Sequence, residues 1–251
     1  MLTDHLRVHG PLATAHLLTY RALNRLVSYH TFIGMWISSS SFHGGAVRPG
    51  FLFDSRFLTH AEIIDLPSHP ELEVTERFVD RALEKGDACF GIFDRQRLVS
   101  YSWYSRLPTW VSGELAINFD PDYTYMFKGF TLPAYRGKRL YAAGIYRAAL
   151  AEASRGSKGL VSLVESANFA ARRSLARMGH KAFGTIRVFR AFGTNRISAT
   201  ESCKRFGVSL TAIQERPTRL LERGEALPPI QPPQVAPRLT YRSQQKAHTH
   251  R

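Results

Sequence analysis

Apolar residues recur along this chain with two different periods, and the switches between those periods outline most of its elements. From Pro11 to Tyr29, the residues Leu12, Leu17, Leu18, Ala22, Leu26 and Tyr29 fall at helical spacing, with Arg21 and Arg25 on other faces. This predicts an amphipathic basic helix, whose stripe either packs on a core or lies on a membrane surface. Thr31 to Ile37 reads as a short apolar strand, followed by a Ser- and Gly-rich loop from Ser38 to Gly50. Ser68 with Glu71 three residues later predicts a capping box. It opens a helix with Leu72, Phe78, Val79, Ala82 and Leu83 on its apolar face, stopped by Gly86. Two strand-like runs, Ala88 to Phe93 and Leu98 to Ser105, are joined at Asp94-Arg95-Gln96 as a hairpin.

Beyond Leu107 to Phe119, which carries no readable signature, strand and helix alternate. Tyr123 to Thr131 is aromatic and β-prone, with Gly129 marking a bulge or a close approach to a ligand. A helix from Arg139 to Arg155 ends at Gly156 and Gly159, Leu160 to Val164 is a buried strand, and Asn168 to Met178 is a helix ended by Gly179. Phe183 to Phe192 is the next strand. From Pro217 the composition shifts to Pro, Gln, Lys and His, which predicts a disordered tail. The expected organisation is therefore an amphipathic helical extension over 1–30, one mixed α/β domain over 31–212, and a Pro-rich basic tail over 213–251.

Composition narrows the chemistry. Cys89 and Cys203 are too few for a disulfide framework or a four-cysteine metal site, which predicts reduced thiols in a cytoplasmic compartment and no metal. The apolar runs fall short of the ~18 residues of a membrane span, and no secretory leader is expected. His43-Gly44-Gly45 looks like an esterase oxyanion loop, but without a G-x-S-x-G elbow it reads as a plain loop. The net charge is +14 and unevenly placed: residues 136–190 carry 12 Lys/Arg against only Glu152 and Glu165. Such a block suits nucleic acid or a phosphorylated cofactor.

The segment Phe130-Thr131-Leu132-Pro133-Ala134-Tyr135-Arg136-Gly137-Lys138-Arg139-Leu140-Tyr141 runs from a strand end through a basic turn into a helix. It resembles the R-x-x-G-x-G/A acyl-CoA loop of the GNAT (acyl-CoA-dependent N-acetyltransferase) superfamily. Val164-Glu165-Ser166-Ala167-Asn168-Phe169-Ala170-Ala171 with Ala176-Arg177-Met178-Gly179-His180 resembles that family's later strand end, asparagine helix and closing K-x-G-F. The two segments stand in the family's order, and the likeness spans residues 31–212. Three positions depart from the pattern. Arg139 and Tyr141 replace small residues of the loop, and Leu175 stands where many relatives hold a tyrosine acid.

The resemblance implies a central mixed sheet flanked by helices, and transfer of an acetyl or longer acyl group from a CoA thioester to a primary amine by direct attack. Phe130, Thr131, Leu132, Arg136, Gly137, Lys138, Arg139, Leu140 and Tyr141 would hold the cofactor. The physics agrees, since a loop entering a helix N-terminus offers unpaired amides and a positive dipole end to a pyrophosphate. Asn168 would touch the pantetheine arm or cap its helix. Glu165 would act as base, or make a structural ion pair. Tyr101, Trp103 and Tyr104 line an acceptor pocket or fill the core. The acceptor would be a small molecule or peptide amine, and oligomeric state is unspecified. The competing class is a GNAT-like binding module without catalysis, contacting nucleic acid or an anionic membrane through its basic face.

Overall fold

The computed structural model describes residues 7, 10–20, 28–44, 53–112, 115–191 and 194–212. Their frame is an eight-stranded sheet in the order β10-β9-β1-β8-β7-β4-β3-β2, beside a three-stranded sheet β11-β6-β5. The strands are β1 (Ser28–Ser38), β2 (Asp54–Phe57), β3 (Ala88–Asp94), β4 (Arg97–Ser105), β5 (Thr109–Ser112), β6 (Leu115–Asn118), β7 (Thr124–Thr131), β8 (Gly159–Glu165), β9 (Lys181–Ala191), β10 (Thr194–Ala199) and β11 (Ser209–Ala212). The helices are α1 (residues 10–20), α2 (His60–Asp65), α3 (Glu76–Lys85), α4 (Leu140–Ser154) and α5 (Phe169–Arg177). Every pairing is antiparallel except that of β7 with β8, so the architecture is a mixed α/β sheet.

β1 is a run of aromatic and β-branched residues that suits a strand covered on both faces. It pairs with β8 through Phe32 to Ser38 and with β9 through Ser28 to Trp36, so the first strand of the chain lies inside the sheet. On one face Met35, Ile37, Leu160 and Val164 meet Ile145 and Ala148 of α4 and Leu175 of α5. On the other, Phe32, Val161, Ile186 and Val188 meet Ile117 and Leu210 of the small sheet and Phe206. A third cluster sets Val79 and Ala82 of α3 against Cys89, Val99 and Trp103. Cys89 and Cys203 are buried free thiols. Among the described residues, no helix is long and apolar enough to cross a membrane.

Several sequence expectations need correcting. Tyr29 belongs to β1 and not to the first helix, because cross-strand partners on β9 claim it. Within α1 the predicted stripe does not face inward: Leu12 is 87% exposed while Thr14 is buried. Residues 21–27, with Ala22 and Leu26, lie outside the described residues, as do Gly45 to Gly50 of the predicted loop and the tail from 213. His43 and Gly44 stand in a short 3-10 turn.

The capping box is real but earlier. Thr59 accepts from the Glu62 amide and the Glu62 carboxylate accepts from the Thr59 amide, opening a helix the sequence reading missed. Pro70 and Glu71 instead start a 3-10 turn that ends in the left-handed Glu73, and α3 begins only at Glu76. The featureless stretch after Leu107 forms the β5–β6 hairpin, whose register shift between Trp110 and Ser112 hides its alternation.

Candidate functional site

Among the described residues one strand pair is parallel, and it is short. β7 and β8 share register only at Thr124 with Leu160 and Tyr125 with Val161. Beyond these residues β7 follows β4 to Thr131 and β8 follows β1 to Glu165. The sheet therefore divides into two wings with a wedge between them. A buried network pins its closed end: Glu152 of α4 accepts from Thr124 Oγ1 at 3.2 Å and from Arg106 Nε and Nη2 at 3.1 and 3.0 Å, while Arg155 reaches its other oxygen at 2.8 Å.

The open end is shaped by a bulge in β7. Between Tyr101 opposite Phe130 and Trp103 opposite Phe127, two steps along β4 meet three along β7. The extra residue puts Lys128 at φ 42°, and its ammonium donates to the Glu73 carbonyl at 3.0 Å. Gly129 leaves room for Tyr141, because a Cβ there would lie 2.2 to 2.6 Å from Cε2, Oη and Cζ of that ring and would displace it. The Tyr141 ring thus lies against the bulge. Burial pushes its pKa up to about 12, so the phenol stays protonated at neutral pH.

From the bulge the chain enters the basic turn. Pro133–Tyr135 forms a 3-10 turn, Arg136 Nε donates back to the Thr131 carbonyl at 3.2 Å, and Gly137 takes φ 82°. Arg139 caps α4 in the left-handed region at φ 59°. The first amide to close a helical turn is that of Ala143, on the Arg139 carbonyl. Among the described residues, the amides from Gly137 to Ala142 donate to no main-chain carbonyl. Arg136, Gly137, Lys138 and Arg139 stand exposed around them. The ammonium of Lys138 is held 4.7 Å over the Tyr135 ring, whose hydroxyl donates to Asp94 at 2.7 Å. The turn therefore presents a row of N–H groups at the positive end of a 15-residue helix.

The other predicted residues fall into two groups. Phe130 stacks on Tyr101 at 5.7 Å, Thr131 Oγ1 lies 2.8 Å from Ser100 Oγ, and Leu132 and Leu140 are buried, so these side chains build the wall beneath the turn. Tyr101, Trp103 and Tyr104 are core. Leu175 is buried against α4 and brings no proton donor. Asn168 is the N-cap of α5, its Oδ1 accepting from the Ala171 amide at 3.0 Å.

Glu165 ends β8 opposite Phe32, with its side chain about 43% exposed. Its Oε1 accepts from the Tyr20 hydroxyl at 3.2 Å and lies 3.1 Å from His30 Nδ1. Among the described residues, these two partners hold the carboxylate. Tyr20 and His30 are the site residues that sequence reasoning missed. Neither carried a signal, whereas Tyr141 stood out as a bulky residue in a motif of small ones.

No family model matches the sequence, and no curated protein matches it. Solved structures do. A structural-genomics protein from Drosophila is 16% identical, with a TM-score of 0.47, over 72% of this chain and 58% of that one. An acetyltransferase from the GNAT family of Colwellia psychrerythraea is 12% identical, with a TM-score of 0.43, over 72% of this chain and 60% of that one. AAC(6')-Iy, in complex with the bisubstrate analog CoA-S-monomethyl-acetylneamine, is 13% identical, with a TM-score of 0.41, over 51% of this chain and 89% of that one. The fold class given above rests on this chain's own strand order and register.

Proposed function

We propose that the protein is a GNAT-type N-acyltransferase that moves an acyl group from a CoA thioester to a primary amine. The observation that carries this reading is the wedge: a parallel pair that parts after two residues, with a bulge on one lip and a row of amides beside it. An extended thioester arm fits between separating strands, where it meets main-chain donors on the bulged lip. Its diphosphate fits the amides of Gly137 to Ala142, with Arg136, Lys138 and Arg139 supplying charge.

In the transfer, the neutral amine attacks the thioester carbonyl carbon, the carbon–sulfur bond breaks, and the sulfur leaves as thiolate. Glu165 takes the proton that the amine sheds, directly or through the Tyr20 hydroxyl that donates to it. Tyr141, protonated and set on the bulge, is this chain's own donor toward the leaving sulfur. It stands in for the tyrosine that Leu175 replaces.

Calorimetry with CoA on the full chain tests the reading. Binding is expected, weakened at least severalfold by Arg136→Ala or Gly137→Trp. A folded protein that takes up no CoA overturns it. Tyr141→Phe is expected to lower kcat roughly tenfold while leaving CoA affinity unchanged, at the weak end of general-acid effects because a thiolate departs readily.

A further inference from the structure

A groove of about 770 Å³ opens where β8 ends, between α1 and α5. Its floor is read off the strand register. Thr31 and Ile33 of β1 lie beside Arg187 and Thr185 of β9, and Thr31 also accepts the Ser166 amide at 2.7 Å. One wall is α5, which contributes Phe169, Arg172 and Arg173, and the other is α1, which contributes His16 and Tyr20. Three guanidinium groups line this space, and among the described residues no carboxylate does.

The arginines are placed and not merely present. Arg172 donates to the Ser166 carbonyl at 2.9 Å and packs over the Phe169 ring at 5.5 Å, which fixes it at the end of β8. Arg187 lies two strands across from Ser166, about 10 Å away at ordinary strand spacing. Like charges gathered in a concavity repel one another, and their field concentrates anions there. Planar guanidinium groups beside aromatic rings match an oxyanion attached to an apolar body. Glu165, in register with Phe32 and Ile186, projects from the other face of the sheet, and Tyr20 on the groove wall reaches it past the end of β8 by donating to it at 3.2 Å.

We infer that this groove is the acceptor site and that it takes an amine which itself carries an oxyanion, carboxylate or phosphate. The inference rests on the acyltransferase reading for its chemistry. Arg172 and Arg187 hold the anion, and the amine points toward the Glu165 end.

The test uses the full-length protein with acetyl-CoA, following thiol release for two matched pairs of acceptors. The pairs are phenylalanine against phenylalaninamide, and O-phosphoethanolamine against ethanolamine. The charged member of at least one pair is expected to be preferred roughly tenfold or more in kcat/KM, and which pair shows it tells carboxylate from phosphate. Arg187→Gln and Arg172→Gln are each expected to remove that preference through KM, with kcat and CoA affinity retained. Equal turnover of both members, or a preference that survives both substitutions, overturns the inference while CoA binding leaves the transferase reading standing.

If CoA does not bind, or no acceptor turns over, calorimetry with phenylalanine and O-phosphoethanolamine decides the matter. Binding that Arg187→Gln abolishes upholds an anion site, and absence of binding removes it. A single-stranded oligonucleotide that binds with steep salt dependence, and competes with neither amine, also overturns it.

Discussion

The turn at the start of α4 and the groove beside α5 both gather positive charge, but they are built from different parts of the polypeptide. In the turn the exposed donors are main-chain amides, and their arrangement comes from unusual backbone, with Gly137 at φ 82° and Arg139 at 59°. In the groove the backbone is regular, and the work falls to side chains that strand register and helix phase bring together from α1, β1, α5 and β9. A site made of amides tolerates changes of side chain but not of φ. A site made of guanidinium groups tolerates neither loss of an arginine nor slippage of the elements that carry it.

The largest effect tests the groove's foundation. His180 joins α5 to β9 and is buried, with only the Leu175 main chain at hand to favour its charged form. Burial lowers its pKa to about 4. Because the folded pKa lies below the unfolded value, the folded state is penalised as pH falls. Stability is complete above about pH 6.5 and declines by up to about 3 kcal/mol on the way to pH 4. His180→Phe is expected to flatten that limb in denaturant titrations from pH 7 to 4. An unchanged slope would mean that His180 is not the group responsible.

A smaller effect tests the main-chain site. Gly129→Ala forces the Tyr141 ring off the bulge and is expected to cost about 1–3 kcal/mol, as overpacking does. Combined with Tyr141→Ala the cost should largely vanish, and strictly additive losses would refute the contact. The smallest concerns Arg139, a non-glycine residue in left-handed backbone. Arg139→Gly is expected to gain up to about 1 kcal/mol, raising Tm by about 2–4 °C, and a fall in Tm would show that the guanidinium contributes more than the backbone loses.

The same contrast explains what the sequence disclosed. The turn was legible because a main-chain site occupies consecutive residues and has a fixed conformational demand, so Arg136-Gly137-Lys138 leading into Leu140 announces it. The Gly129 bulge, the β3–β4 hairpin at Asp94-Arg95-Gln96 and the α5 cap at Asn168 were legible for the same local reason. Thr59 with Glu62 satisfied the capping rule as well as Ser68 with Glu71 does, and Pro70 decided against the second pair. The groove was not legible, since Tyr20, Thr31, Arg172 and Arg187 are neighbours only through tertiary structure. Nor was the surrounding of Glu165, whose partners His30 and Tyr20 come from the far end of the chain.

The inward position of β1 has a consequence for how the molecule is made. Phe32 finds its companions only when Glu165 and Ile186, more than 130 residues later, have been synthesised. Until then an eleven-residue ribbon of aromatic and branched side chains has both hydrogen-bonding margins bare. Nascent chains stalled before β8 should therefore depend on chaperones and clump without them, whereas the helix-and-hairpin unit of α3, β3 and β4 draws on partners close in sequence and can assemble early.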